Sequence, residues 1–394
     1  MNPSPTTSPA SFADTPVDPV AAATHADPYP FYAELRAGPP LVWNERLHAW
    51  VASRAEVIES LLLAHGALRV RPAAEPVPRA IVGGAAGEVF GHLVRMNDGA
   101  AHQAHRPALQ RALAGLDLDA AHSAALQVAR SVPAQPLSNA LFSMPVRAVA
   151  HLLGFADDAL PQVDGWMRDF VACLSPLSTA DQLQGAGVAA GELMARFEAL
   201  AACAPARNGT LLAAVLAESD AGASLSRSLL ANLVGLLSQT CDATAGLLGN
   251  SLIAIMCEPA LRDTARTRDG LQAIALETAR HDPSVQNTRR FAVEPITIAG
   301  TTLAAGDAVL LVLAAANRDP GFNPDPDRFM LVRARRRMLG FGHGVHACPG
   351  QALACTLAAA GLEALLDRTP DLDALRARGW SYRPSANARI PVFH

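Results

Sequence analysis

Residues 229–258, "LLANLVGLLSQTCDATAGLLGNSLIAIMCE", constrain the fold of this 394-residue chain more than any other stretch. The apolar pattern runs unbroken until Pro259 and predicts one helix. About 30 residues at about 1.5 Å each give a rod of about 45 Å, the width of a whole domain. Both ends are apolar on every side, which predicts burial. The middle, Ser238-Gln239-Thr240-Cys241-Asp242-Ala243-Thr244, is polar, and buried polar groups need partners. The block is either a structural hydrogen-bond knot or the wall of an active-site cavity.

The surrounding pattern fits a helical environment. Residues 100–290 carry helical periodicity and few strand signals. "DPYPFYAELRAGPP" predicts a short amphipathic helix stopped at Gly38-Pro39-Pro40. "LVWNERLHAWVAS" predicts a hairpin, and Ser53 with Glu56 a capping box opening the helix "RAEVIESLLL". "ITIAGTTLAAGDAVLLVLAAAN" is β-rich, with turn signals at Ala299-Gly300 and Ala305-Gly306. Residues 1–25, rich in Pro, Ser, Thr and Ala, predict a flexible leader. The expected fold is mainly α with small β-sheets, a single large domain over 26–394.

Half of the chain is apolar, enough for a large core, and the net charge is −4. No global basic field points to nucleic acid or an anionic membrane. No apolar run matches the roughly 20 residues of a membrane span, and the N-terminus has no signal-peptide pattern. The expectation is a soluble cytoplasmic protein. The cysteines at 173, 203, 241, 257, 348 and 355 show no disulfide framework. Five of them suit small buried hydrophobes.

The sixth, Cys348, sits in "FGHGVHACPG", residues 341–350. Zinc is disfavoured, because His343, His346 and Cys348 are crowded and no C-x-x-C exists. A cysteine nucleophile is disfavoured for want of a family signature. The loop does meet the demands of a haem thiolate. Gly342 and Gly344 permit positive φ, and Pro349 suits the first turn of the helix "GQALACTLAAAGLEALL". A cysteine at a helix N-terminus is stabilised as thiolate, with Gly350 and Gln351 N–H as the expected donors. Phe341 can cover the sulfur, and Gly350 lets backbone pass close to a ring.

Phe341-Gly342-x-Gly344-x-His346-x-Cys348-x-Gly350 resembles the haem loop of the cytochrome P450 family. Further family-like motifs follow in order from about residue 27 to the end. "HQAHR" offers His102 and Arg106, and "PSVQNTRR" offers Arg290; with His346 they resemble the family's propionate contacts. Glu277-x-x-Arg280 resembles its buried ion pair, joined by Arg328 of "PDRF", and "AANRDP" at 315–320 is also family-like. The long helix resembles the oxygen-activating helix. There Asp242 retains the acid, Thr240 replaces the glycine and Ala243 replaces the usual threonine, with Thr244 next.

The resemblance implies a haem b (iron protoporphyrin IX) monooxygenase with Cys348 as the metal ligand. It would insert one oxygen atom of O2 into a small, largely apolar organic substrate. Asp242 is the expected proton-relay acid, or else a satisfied buried carboxylate. Thr240 is the preferred hydroxyl; a π-bulge bringing Thr244 in, ordered water, or substrate are the alternatives. Met338 and Ala304 are smaller departures: one weaker propionate contact, and a turn without its proline. Electrons would come from a separate ferredoxin-type donor with its reductase. "RARRR" (Arg333, Arg335, Arg336, Arg337) is either its docking face or a charge run with internal pairs. An oxidase or peroxygenase is the alternative chemistry, and a haem carrier or sensor the non-catalytic one. Residues 65–95 and 160–200 are the expected specificity segments.

Overall fold

The computed structural model describes residues 15–175, 177–203, 209–219, 225–369 and 371–394. The long helix spans Arg227–Cys257 without interruption and runs through the centre. It packs against helices Leu137–Leu153 and Gln351–Leu366. Two glycines admit the C-terminal strand to its surface. A Cβ on Gly246 would meet the Arg389 carbonyl at 2.7 Å, and one on Gly249 the Pro391 ring at 2.4 Å. The helix is both spine and docking rail.

The sheets sit to one side of this helical mass. Strands β1 (Leu41–Asn44), β2 (Ala49–Ala52), β3 (Leu68–Arg69), β4 (Thr288–Ala292) and β7 (Ala308–Leu311) form one sheet in the order β1-β2-β7-β4-β3. The β2–β7 pairing is parallel and the others antiparallel. Strands β5 (Ile296–Ile298) and β6 (Thr301–Leu303) make a hairpin. Its turn, Ala299-Gly300, has φ of 50° and 81°, the pair of positive values a tight hairpin with right-handed twist requires. Strands β8 (Trp380–Tyr382) and β9 (Pro391–Phe393) close the C-terminus. "AVLLVLAAA" divides into β7 and a buried helix, Leu313–Asn317.

Several local expectations change. The helix Ala55–Leu63 has no Ser53 capping box; its N-cap is Arg54, and the Ala55 N–H donates to Asp319 Oδ2 at 3.1 Å. A carboxylate 264 residues away in sequence replaces the local hydroxyl. Ala304, in place of the turn proline that the resemblance implies, donates its N–H to Asp307 Oδ2 at 2.9 Å, a bond proline cannot make. The expected leader is shortened. Residues 1–14 lie outside the described ones, but Asp18 already caps a helical turn, Pro19–Ala22, and Ala22 and Ala23 are fully buried. Segments 227–257 and 344–366 are long and apolar enough for a membrane span, contrary to expectation, and both are mostly buried in the fold.

The buried ion network is real but differently populated. Glu277 and Arg280, both fully buried, pair at 2.6 Å. The further partners of Glu277 are Arg333 at 2.9 Å and Arg336 at 3.0 Å. Arg328 contributes its carbonyl, accepting from Arg280 Nη2 at 3.0 Å, and not its guanidinium. Burial opposes ionisation of Glu277, yet hydrogen bonds and charge from Arg280, with the Met330 N–H and Arg333, hold its carboxyl below the usual range. Removing one member of such a network strands the others. Two arginines of "RARRR" are thus spent internally. A third, Arg337, pairs with Glu59 and lies 3.9 Å over the Phe322 ring. Arg335 alone of the four is exposed, so this run is largely a structural anchor for the segment entering the cysteine loop.

Candidate active site

A cavity of about 780 Å³ lies between the long helix, the cysteine loop and β4. The loop is shaped by its own backbone. Gly342 and Gly344 have φ of 74° and 66°. A Cβ on Gly342 would stand 2.9 Å from the His346 carbonyl, so glycine is required twice over there. Gly342 N–H donates to Leu339 at 2.8 Å and Cys348 N–H to Phe341 at 2.6 Å. Upstream, Leu339 N–H donates to Asn317 Oδ1 at 2.7 Å, tying the loop to the "AANRDP" motif. The helix after the loop begins at Gln351 with Gly350 as N-cap, so Pro349 stands just before the cap and not in the first turn.

Cys348 faces the cavity together with Phe341, Gly342, His346 and Gly350. Burial pushes its thiol up, while the Gly350 N–H and the Arg106 charge pull it down. His102, Arg106 and Arg290 line the same cavity. His102 lies 4.6 Å from His346, ring to ring. Burial, then the nearby charges of His346 and Arg106, lowers His102 to about 4. Arg106 donates Nη2 to the Ala347 carbonyl. His346 is held by Asp98 at 2.9 Å, and Asp98 also accepts the Val70 N–H at 3.0 Å. Asp98 carries no sequence signal of its own; it was missed.

Two polar atoms here are buried without partners: His102 Nε2 and Arg106 Nε. Buried polar atoms without partners on cavity-lining residues call for one. A cysteine sulfur on one wall, with imidazole and guanidinium donors around it, has the chemistry to receive a haem and its carboxylates. The residues present fit that group. His343 does not line the cavity. Met338 packs against the apolar core.

The opposite wall is the polar block of the long helix. Ser238, Gln239, Thr240, Asp242, Ala243 and Thr244 all line the cavity. The block is also a hydrogen-bond knot: Gln239 Nε2 donates to Gly235 at 2.8 Å, and Thr240 Oγ1 to Leu236 at 2.7 Å. The helix is α throughout, so the π-bulge expected as a route for Thr244 is absent. Thr240 and Thr244, one turn apart, already share a face. Asp242 Oδ2 pairs with Arg383 at 2.6 Å, while Oδ1 is buried and unpartnered. Arg383, from the β8–β9 connection, was not foreseen, since nothing in "SYRPSA" signals it. The cavity also takes in Val70, Val94, Arg95 and Met96, and residues 168–182 in part, within or beside the expected specificity segments.

Comparison with known proteins agrees with this geometry. Residues 269–368 match the family model described as "Cytochrome P450". The chain is 29% identical over 375 residues to cytochrome P450 144 of Mycobacterium tuberculosis, covering 90% of this chain and 85% of that one. It is 34% identical over 237 residues to cytochrome P450 monooxygenase PikC of Streptomyces venezuelae, covering 58% and 55% respectively. Among solved structures, CalO2 superposes with a TM-score of 0.77 at 24% identity, covering 96% of this chain and 98% of that one. In fold, in motif order and in sequence the chain is similar to the cytochrome P450 family, haem-dependent oxidoreductases of the monooxygenase class.

Proposed function

We propose that the chain is a monooxygenase acting on a small, largely apolar organic substrate, in which Cys348 would ligate the iron of a haem b. His102, Arg106, Arg290 and His346 hold the propionates, and Phe341, Gly342 and Gly350 frame the sulfur face. The observation that carries this reading is that Cys348, two arginines, two histidines and Asp242 converge on one cavity. Haem, when bound, supplies the redox chemistry that places one atom of O2 in the substrate and reduces the other to water.

The chain's own residues do the rest. The Gly350 N–H lies at the sulfur and moderates its basicity. The apolar wall, with Leu236, Leu247 and Leu353, excludes water from the substrate. Asp242 relays protons: Arg383 holds Oδ2, and Oδ1, buried without a partner, takes up a proton from the solvent side and passes it inward. Thr240 donates its own proton to Leu236, so its oxygen lone pairs are open to accept from that water. Thr244 stands one turn further along the same face. A salt-bridged acid with a hydroxyl two residues to either side, all three lining the cavity, supports a relay from the surface side inward.

Electrons come from a separate ferredoxin-type donor with its reductase, in the cytoplasm. Because the arginine run is mostly internal, the docking face does not rest on it. Replacing Cys348 by Ala is expected to abolish the thiolate-type spectrum of the carbonyl complex in purified protein; survival of that spectrum overturns the ligand assignment. Ala243, in place of the family's threonine, favours a second reading, an oxidase or peroxygenase. Heavy-isotope O2 appearing in product under NADH-driven turnover excludes it.

A further inference from the structure

The charged residues on the cavity wall do not balance. Among the described residues the wall carries five arginines, Arg95, Arg106, Arg168, Arg290 and Arg383, against one carboxylate, Asp242. Arg383 and Asp242 pair with each other at 2.6 Å. Arg168 is served from behind the wall, with Ser143 Oγ at 3.2 Å and Asp164 at 3.8 Å, and it lies 4.4 Å over the Phe142 ring. On the reading proposed above, a thiolate-bound ferric haem brings two negative charges, both on its propionates, and Arg106 and Arg290 answer them. One guanidinium, Arg95, is left over.

Arg95 has neither a salt bridge nor a side-chain hydrogen bond among the described residues. It belongs to a short helical turn, Val94–Met96, anchored beneath by Asn232 Oδ1 accepting the Val94 N–H at 2.7 Å. Its surface faces the cavity. Desolvation, the larger effect, lowers the pKa of the Arg95 guanidinium, and the Cys173 thiol opposes it. Ser175 and Ser178, just beyond Cys173, also line the cavity and add hydroxyls to that corner. Arg95 is exposed on the cavity side, and a guanidinium there without a counter-ion is open to one that a ligand supplies. Its planar fork matches an oxyanion bidentately.

We propose that Arg95 is a substrate-binding residue and that the substrate is an apolar organic anion, its oxyanion paired with the Arg95 guanidinium inside the cavity. This rests on the haem-cavity reading and deepens it. The apolar wall takes the body of the molecule, and Arg95 fixes one end, so oxidation falls at a set distance from the charge.

The test uses the haem-loaded enzyme and its spin-state titration. The probes are decanoate, 4-phenylbutyrate and indole-3-acetate, each against its primary amide, with decyl phosphate to separate carboxylate from phosphate. At least one anion is expected to bind at least tenfold tighter than its neutral isostere. Arg95→Met is expected to erase that preference, and Arg95→Lys to retain part of it, with haem content and the thiolate carbonyl spectrum unchanged in both. Tighter binding of decyl phosphate than of decanoate, also lost in Arg95→Met, supports the proposal with phosphate as the oxyanion. If no anion outcompetes its amide, the proposal fails. It fails equally if Arg95→Met loses haem while the wild-type preference persists, which would make Arg95 a propionate contact. Loss of the thiolate carbonyl spectrum in the wild type would instead strike the cavity reading, so the two failures are distinct.

Discussion

At residue scale, the polar block of the long helix carries the chemistry of the proposed proton relay. Ala243 cannot offer a hydroxyl, and Thr240 and Thr244 flank it on the cavity face. Thr240→Val is expected to lower coupling several-fold, read as peroxide released per NADH consumed, with Thr240→Ser restoring it. Thr244→Val is expected to change coupling little. Asp242→Asn is expected to slow NADH-driven turnover by on the order of 10²-fold, the scale of a general acid. Equal effects of the two valine variants would reject Thr240 as the preferred hydroxyl. Asp242 was readable in the sequence as an acid in a polar block. Its partner Arg383 was not, because the pairing joins residues 141 apart through a loop without a motif.

At the scale of elements, short-range signals worked where the partner was local and failed where it was distant. The β5–β6 turn needed positive φ twice and has it at Ala299 and Gly300. The Ser53 box offered a local acceptor, yet the fold delivers Asp319 to the same helix start. Asp319→Ala is therefore expected to cost about 1 kcal/mol in urea unfolding, the usual worth of an N-terminal cap. Ser53→Ala is expected to cost distinctly less. The "RARRR" run shows the same limit: Glu277 is reached by Arg333 and Arg336 because the chain folds back over helix Arg268–His281. Charge density along a sequence does not say which side of the surface it will occupy.

At the scale of the whole molecule, His281 ties remote parts together. Its Nε2 meets the Asp327 carbonyl and its Nδ1 meets Arg318, both at 3.0 Å, and its ring stacks near Tyr29 and Phe329. Burial, then the Arg318 charge, lowers its pKa to about 4. The unfolded chain takes up a proton near pH 6.5, where the folded form does not. Between about 6.5 and about 4 the unfolded state therefore binds more protons, and stability falls as pH falls through that window. Urea midpoints at pH 7, 6 and 5 are expected to decline in the wild type and to decline less in His281→Gln. An identical slope in the variant would remove His281 from the account.

The sequence by itself determined the cofactor loop, the long central helix with its polar middle, and the order of motifs that marks the family. These are local: turn conformations, helical periodicity and residue types at short spacing follow from backbone sterics and burial within a few turns. Only the tertiary structure decided which charges are spent and which are free. It set Arg333 and Arg336 on Glu277, Arg383 on Asp242 and Asp98 on His346, and among the described residues it left Arg95 without an ion-pair partner in the cavity wall. Electrostatic partners are chosen by proximity in space and by the cost of stranding a charge away from water, and neither is written in the spacing of residues along the chain.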